Sequence, residues 1–172
     1  MSIPDLLLPE YDAEMAVTRR VLERVPDDRA EWRPHPKSFP MAHLAQLVAG
    51  IPGWAARVMK EPEIDIAPKE RPAGAGYRTQ PIADILKQFD ENAAAGRAAI
   101  AAGTEEDYAA HWTLKAADNV VGEGTRYQML RSTVLNHLVH HRAQLGVYLR
   151  LVDVPVPQMY GPTADEKMPG GR

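Results

Sequence analysis

The chain has 172 residues, with 20 basic and 23 acidic side chains, a net charge of −3 and no cysteine. The lack of cysteine excludes disulfides, a thiolate nucleophile and Cys-ligated metals, which leaves His, Asp and Glu as the possible metal ligands. No basic tract is present, so the sequence does not indicate a nucleic-acid partner. We predict one domain over residues 1–172, with a proline-rich tail at residues 155–172.

The N-terminal segment lacks the features of a secretory signal. Residues 1–5 contain no Lys or Arg, and the apolar run at residues 6–8 is too short for a signal peptide. No stretch approaches the roughly 18 apolar residues that a membrane span requires. We therefore expect a cytoplasmic protein without a membrane partner, and a reducing compartment agrees with the lack of cysteine.

Four segments show the apolar spacing of helices, and proline- or glycine-rich connections separate them. The first predicted helix begins at Pro9 and ends before the turn sequence at residues 26–28. Two prolines in the connection at residues 32–38 exclude a helix there. Pro52 lies inside the second predicted helix and should kink it or end it early. The predicted helices cover residues 9–25, 40–59, 81–102 and 125–152.

The connections between these helices have their own signals. Residues 61–76 hold three prolines and two glycines and are predicted to be a loop. The Gly74-Ala75-Gly76 part of this loop is too short for a phosphate-binding motif. Thr79 is a candidate N-cap for the third helix, with Pro81 in its first turn. The alternation at residues 111–114 favours a short extended piece, so the pattern as a whole predicts an all-α domain with little strand.

The fourth predicted helix carries the strongest functional signal, a pair of histidines on its apolar face. On a wheel of about 100° per residue, its apolar side chains fall within roughly 60° of one another, and His137 and His141 lie in the middle of that stripe. Their i, i+4 spacing allows both ring nitrogens to reach one ion. His140 lies well off the stripe. The apolar residues that define it are Leu130, Val134, Leu145 and Tyr148.

Two interpretations of this pair stay open. Both residues can be hydrogen-bonded core histidines with no chemical role. Alternatively they bind a metal ion, which would satisfy two buried imidazoles at once. A catalytic zinc usually has three protein ligands, and His43 in the second helix is the candidate third by residue type, although it lies about 100° from the centre of that helix's apolar stripe. Nothing in the sequence brings His35 or His111 to the site.

The chain resembles a known family at several points. DinB-like proteins, the damage-inducible family, have a last-helix signature similar to residues 136–145, Asn-His-Leu-Val-His-His-Arg-Ala-Gln-Leu. The proline-rich tail, with Tyr160-Gly161-Pro162, is similar to the family's tail. Residues 32–38 and the Pro52-Gly53-Trp54 segment resemble the family's lead into helix 2 and the later part of that helix. The likeness covers nearly the whole chain.

This resemblance implies a four-helix bundle with one long crossover connection, usually dimeric, that holds zinc or nickel through three histidines. Two of the three correspond to His137 and His141. The third normally lies in helix 2, five residues before a proline such as Pro52, where this sequence has Leu47. His43 is one turn earlier, about 6 Å along the helix. Either His43 reaches the site with changed geometry, or the site is weakened or empty.

Two functional hypotheses follow: the first rests on the histidine pair and on relatives with known activity, and the second rests on Leu47. The first is a metal-dependent enzyme acting on a small molecule or a low-molecular-weight thiol, by S-transfer or hydrolysis, because a bound divalent ion deprotonates a thiol or water. The second is a non-catalytic, dimeric stress-related or small-ligand-binding bundle with a degenerate metal site, which Leu47 favours. The substrate and the metal stay open, as does any role for His35, His111 and His140.

Overall fold

The computed structural model describes residues 2–70 and 77–166, and these are mostly helical. Part of the predicted loop, residues 71–76 with Gly74 and Gly76, lies outside the described residues. Residues 167–172 of the predicted tail also lie outside them. The last helical region contains a π-helical segment, and a short 3₁₀ turn lies at Asp27–Arg29. The elements are α1 Ile3–Leu22, α2 Met41–Lys60, β1 Glu63–Asp65, α3 Ile82–Ala102, α4 Glu105–Ala109, β2 His111–Ala116, β3 Asn119–Thr125, α5 Arg126–Met129, the π-helical segment Leu130–Asn136 and α6 His137–Leu151.

Helix α1 begins six residues before the predicted start at Pro9. The Ser2 hydroxyl accepts a hydrogen bond from the Asp5 backbone N–H at 3.4 Å, and the Asp5 carboxylate accepts one from the Ser2 N–H at 2.8 Å. This reciprocal capping satisfies two of the N–H groups that a helix start leaves unpaired. Pro9, which the sequence analysis placed at the helix start, lies inside α1.

Helix α2 continues through Pro52 to Lys60. Near this proline, α1, α2 and α3 approach closely around Gly96, where an added Cβ would lie 2.3 Å from the Tyr11 hydroxyl oxygen and 2.5 Å from the Pro52 carbonyl oxygen. The Tyr11 hydroxyl donates to the Ala93 carbonyl at 3.2 Å, also within this junction. Burial raises the pKa of Tyr11, so its hydroxyl stays a donor.

A small three-stranded sheet corrects the all-α prediction. Strand β1 pairs in parallel with β2, with Ile64 opposite Leu114, and β2 pairs antiparallel with β3. The extended piece predicted at residues 111–114 is the start of β2, whereas β1 lies in the segment predicted to be loop. Strand β1 has only three residues, and its partner follows about fifty residues later, so local periodicity could not reveal the pairing.

The four long helical elements enclose the hydrophobic core. Helix α2 packs against α3 and α6, and α1 packs against α3 and α6. The mainly helical class is confirmed, and the finer description as a four-helix bundle with a long crossover stays a prediction. Among the described helices, none has both the length and the apolar character that crossing a bilayer requires. The tail folds back on α1 and α6 through Arg20–Glu166 and Arg150–Asp165 ion pairs.

Candidate functional site

The π-helical segment sets which side chains of the last helix face the core. Thr125 caps α5 by accepting a hydrogen bond from the Gln128 N–H at 3.2 Å, and the wider π-helical turn then shifts the angular register. A uniform wheel predicted the histidine pair in the middle of the buried stripe of α6. The structure corrects this prediction. His137 and His141 lie at the edge of the stripe and are half-buried, and the stripe consists of Leu138, Arg142, Leu145 and Leu149.

The two histidines nevertheless converge. The Nε2 atom of His137 lies 2.8 Å from the Nε2 atom of His141, and the two ring centroids are 4.6 Å apart. The Trp54 ring of α2 lies 5.6 Å from the His137 ring, centroid to centroid, and forms one wall beside the pair. Both Nε2 atoms are therefore directed at nearly the same point.

The opposite sides of both rings have partners of their own. His141 Nδ1 lies 2.8 Å from the Gln144 side-chain oxygen, an acceptor, so Nδ1 carries the proton. His137 also hydrogen-bonds the Thr133 backbone, and since its Nε2 faces His141, Nδ1 is the nitrogen left for that carbonyl. In this tautomer pair both Nε2 atoms present lone pairs to each other. Such an arrangement is favourable only with a proton or a metal cation between them.

Burial favours the neutral form of both imidazoles. It is the main cause that lowers the pKa of His137, with His141 and His140 adding to the effect and the Thr133 hydrogen bond opposing it. Burial also lowers the pKa of His141, against the opposing hydrogen bond to Gln144. Neutral imidazole is the form that binds metals.

His43, the predicted third ligand, does not form a three-residue group with this pair. Its ring is stacked on Tyr77, with centroids 4.4 Å apart and planes 13° apart, and it contacts Phe39 at 4.5 Å. Burial in this aromatic cluster lowers the pKa of His43. Across residues 2–70 and 77–166, no three His, Asp or Glu side chains come together as a complete metal site requires.

Leu47 occupies the α2 position where the family resemblance implies a ligand. Its side chain is partly buried, packs against the hydrophobic core and has no donor atom for a metal. The described residues therefore offer a cation two imidazoles here, one fewer than the three protein ligands usual for a catalytic zinc. The assignment of His43 as the third metal ligand stays a prediction.

The remaining histidines have separate surroundings. His140 is exposed, and its Nε2 lies 3.1 Å from the Gln144 side-chain nitrogen, so Gln144 links His140 to His141. His35 accepts a hydrogen bond from the Lys37 N–H in the proline-rich connection. His111 is exposed on β2, 3.5 Å from Glu123. Sequence reasoning did not single out Gln144, although its i+3 spacing from His141 on one helix was a usable signal.

A cavity of about 480 Å³ adjoins His137. Trp54 of α2, Ile66 after β1 and Leu114 of β2 give it apolar walls, so the unpredicted sheet builds part of this site. The π-helical segment and the start of α6 give it polar walls. These are Ser132, Thr133, Asn136, His137 and His140.

A sequence profile described as DinB superfamily matches residues 10–145. The chain belongs to the DinB superfamily. Among curated proteins, none matches the chain. Two solved DinB-like proteins share the fold: one from Bacillus subtilis, with a TM-score of 0.66, 16% identity and coverage of 95% of this chain and 99% of that one, and one from Bacillus cereus, with a TM-score of 0.64, 16% identity and coverage of 89% and 95%. The DinB-superfamily resemblance drawn from the sequence is thus confirmed.

Proposed function

We propose that this DinB-superfamily protein binds one divalent ion, zinc or nickel, through His137 and His141, and that it is a metal-dependent enzyme for thiol S-transfer or hydrolysis. The observation that carries the proposal is the 2.8 Å separation of the two Nε2 atoms, combined with acceptors on the far side of each ring. These acceptors hold the tautomer in which both Nε2 atoms are free to ligate.

The protein's own residues have distinct roles in this proposal. Thr133 and Gln144 orient the two imidazoles, and Trp54 keeps bulk water from one side of His137. When bound, a divalent ion supplies Lewis acidity, which lowers the pKa of a coordinated water or thiol. The cavity beside His137 leaves room for a small molecule at the open side of the pair.

A second candidate function rests on Leu47. In this second proposal, the apolar side chain at the third ligand position makes the protein a non-catalytic, small-ligand-binding or stress-related dimer with a degenerate metal site. A small molecule would then use the cavity without metal chemistry. For such a dimer we expect a mass near twice the 19.0 kDa of one chain in sedimentation experiments.

Metal analysis separates the two functions. Protein purified without added ions is stripped with a chelator, and zinc and nickel are titrated back with calorimetric detection. The enzyme proposal expects about one equivalent of either ion per chain, bound more tightly than micromolar. If neither ion binds at that affinity, the non-catalytic function replaces it.

A further inference from the structure

The cavity beside His137 has two chemically different sides. Trp54, Ile66 and Leu114 offer apolar surface from α2 and the sheet. Ser132, Thr133 and Asn136 offer neutral hydrogen-bonding groups from the π-helical segment. A molecule that fills this space must therefore be apolar along one side and able to hydrogen-bond along the other.

No Lys, Arg, Asp or Glu is among the described residues that line the cavity. The imidazoles in the lining belong to the half-buried His137 and the exposed His140. An ionised ligand group would lose part of its hydration against the apolar wall and would meet no countercharge among these residues. The lining thus disfavours cations and anions alike.

Asn136 is the polar group with hydrogen-bonding capacity to spare. Its side-chain amide makes no hydrogen bond with any part of the chain that the structure describes, whereas the Ser132 hydroxyl already donates to the Gln128 carbonyl at 2.9 Å. A primary amide both donates and accepts, so it pairs best with another amide or a hydroxyl. On the apolar side, the indole of Trp54 provides a surface for offset stacking of an aromatic ring.

We propose that this cavity binds an uncharged aromatic molecule that carries an amide or hydroxyl group, with the ring against Trp54 and the polar group on Asn136. The proposal deepens the proposed function by naming a substrate class, and it rests on that function only for the use made of the bound molecule. Binding itself requires the cavity and not the metal.

Three probes of nearly the same shape test the charge requirement: benzamide is neutral, benzamidine is a cation and benzoate is an anion. Each is titrated into chelator-treated protein while the indole N–H signal of Trp54 is followed by NMR. We expect benzamide to bind at least about tenfold more tightly than either ion, because each ion must be desolvated without a partner. Equal binding of all three probes, tighter binding of an ion, or no binding at millimolar concentration would overturn the proposal.

Two variants of lining residues and one control variant test the assignment. Asn136→Leu should weaken benzamide binding about tenfold, because it removes the amide partner. Gln88→Leu, which removes an exposed amide from α3 outside this cavity, should leave binding unchanged. Leu114→Lys introduces a cation into the apolar wall and should shift the preference towards benzoate. If Asn136→Leu binds benzamide like the wild type, or Leu114→Lys keeps the original preference, the assignment of the lining fails.

A fourth protein separates this proposal from the metal proposal. His141 does not line the cavity, so His141→Ala should lose zinc binding and still bind benzamide. Loss of zinc binding alone supports both proposals. Loss of benzamide binding in a folded His141→Ala protein contradicts the cavity proposal, and a wild type that binds benzamide but no zinc contradicts only the metal proposal.

Discussion

The Nη1 atom of Arg142 lies 2.7 Å from the Oε2 atom of Glu14, in the interior between α6 and α1. Arg142 is fully buried, and the same Nη1 also donates to the Thr18 hydroxyl at 3.0 Å. Tyr160 from the tail donates to the other Glu14 oxygen at 2.7 Å, and its ring lies 5.3 Å from the guanidinium carbon. A residue next to the candidate metal ligand His141 thus links three parts of the chain.

Breaking this buried pair should destabilise the protein strongly. Arg142→Met leaves the Glu14 carboxylate without its countercharge, so we expect the free energy of unfolding to fall by about 3–5 kcal/mol in urea melts. Arg97→Met is the control, because the Arg97–Asp12 pair is exposed and should contribute little. The double variant Glu14→Leu/Arg142→Met should lose less than the sum of the single changes. Additive losses would mean that the two side chains are not coupled.

The zinc affinity of the protein should depend on His141 and not on exposed histidines. His141→Ala removes one of the two converging Nε2 atoms and should abolish zinc binding, measured by competition with a chromogenic chelator. His111→Ala, on the exposed face of β2, should bind like the wild type. An equal loss in both variants would place the binding outside the proposed pair.

Exchanges on α2 should reveal the third coordination position. Leu47→His restores the ligand type that the family resemblance implies, and we expect it to tighten zinc binding by about tenfold or more. His43→Ala should change the affinity little, because the His43 ring is engaged with Tyr77 and Phe39. A strong loss in His43→Ala would instead make His43 a ligand of the ion.

Two glycines test the packing of α3 and α2. Gly96→Ala would place a methyl group 2.3 Å from the Tyr11 hydroxyl oxygen, so we expect a loss of about 1–3 kcal/mol in stability from overpacking. Gly50→Ala, where an added Cβ meets nothing within 4 Å, should gain about 0.5–1 kcal/mol from helix propensity. Thermal melts of both variants check this, and equal effects would contradict the close approach at Gly96.

The tail should respond to acid through Asp165. Hydrogen bonds from Arg150 and then from the Val156 N–H hold the pKa of Asp165 below its usual value of 3.8. The stabilisation is therefore complete above that value and is lost as the pH falls through the lower, folded-state pKa. Asp165→Asn should lower the melting temperature at neutral pH and weaken its acid dependence. Asp28→Asn is the control, because the exposed Asp28 carboxylate lies 3.8 Å from Arg29, and it should melt like the wild type.

How far the sequence could predict this structure depended on whether each signal was local. The histidine spacing on the last helix was local, and the structure does bring His137 and His141 together. The Ser2–Asp5 capping pair was also local, and using it would have moved the start of α1 to its observed position. The π-helical turn carries no periodic signature, so Arg142 was not recognised as the centre of the buried stripe.

The remaining surprises come from pairings between distant segments. Glu14 and Arg142 are 128 residues apart in the sequence. Considered separately, each residue is of a type that usually lies on the surface. The cavity has the same origin, because Trp54, Leu114 and His137 belong to three separate elements. Only the assembled fold shows that neutral groups line it.

The parallel pairing of β1 with β2 has a consequence for folding order. Helices α3 and α4 lie between the two strands along the chain. The contact of Ile64 with Leu114 therefore closes a long loop and should form late. Ile66 and Leu114, which wall the cavity, depend on that closure, and the Ile66 N–H is bonded to the Lys115 carbonyl across it. The capacity to hold a ligand would therefore be gained only when this loop closes.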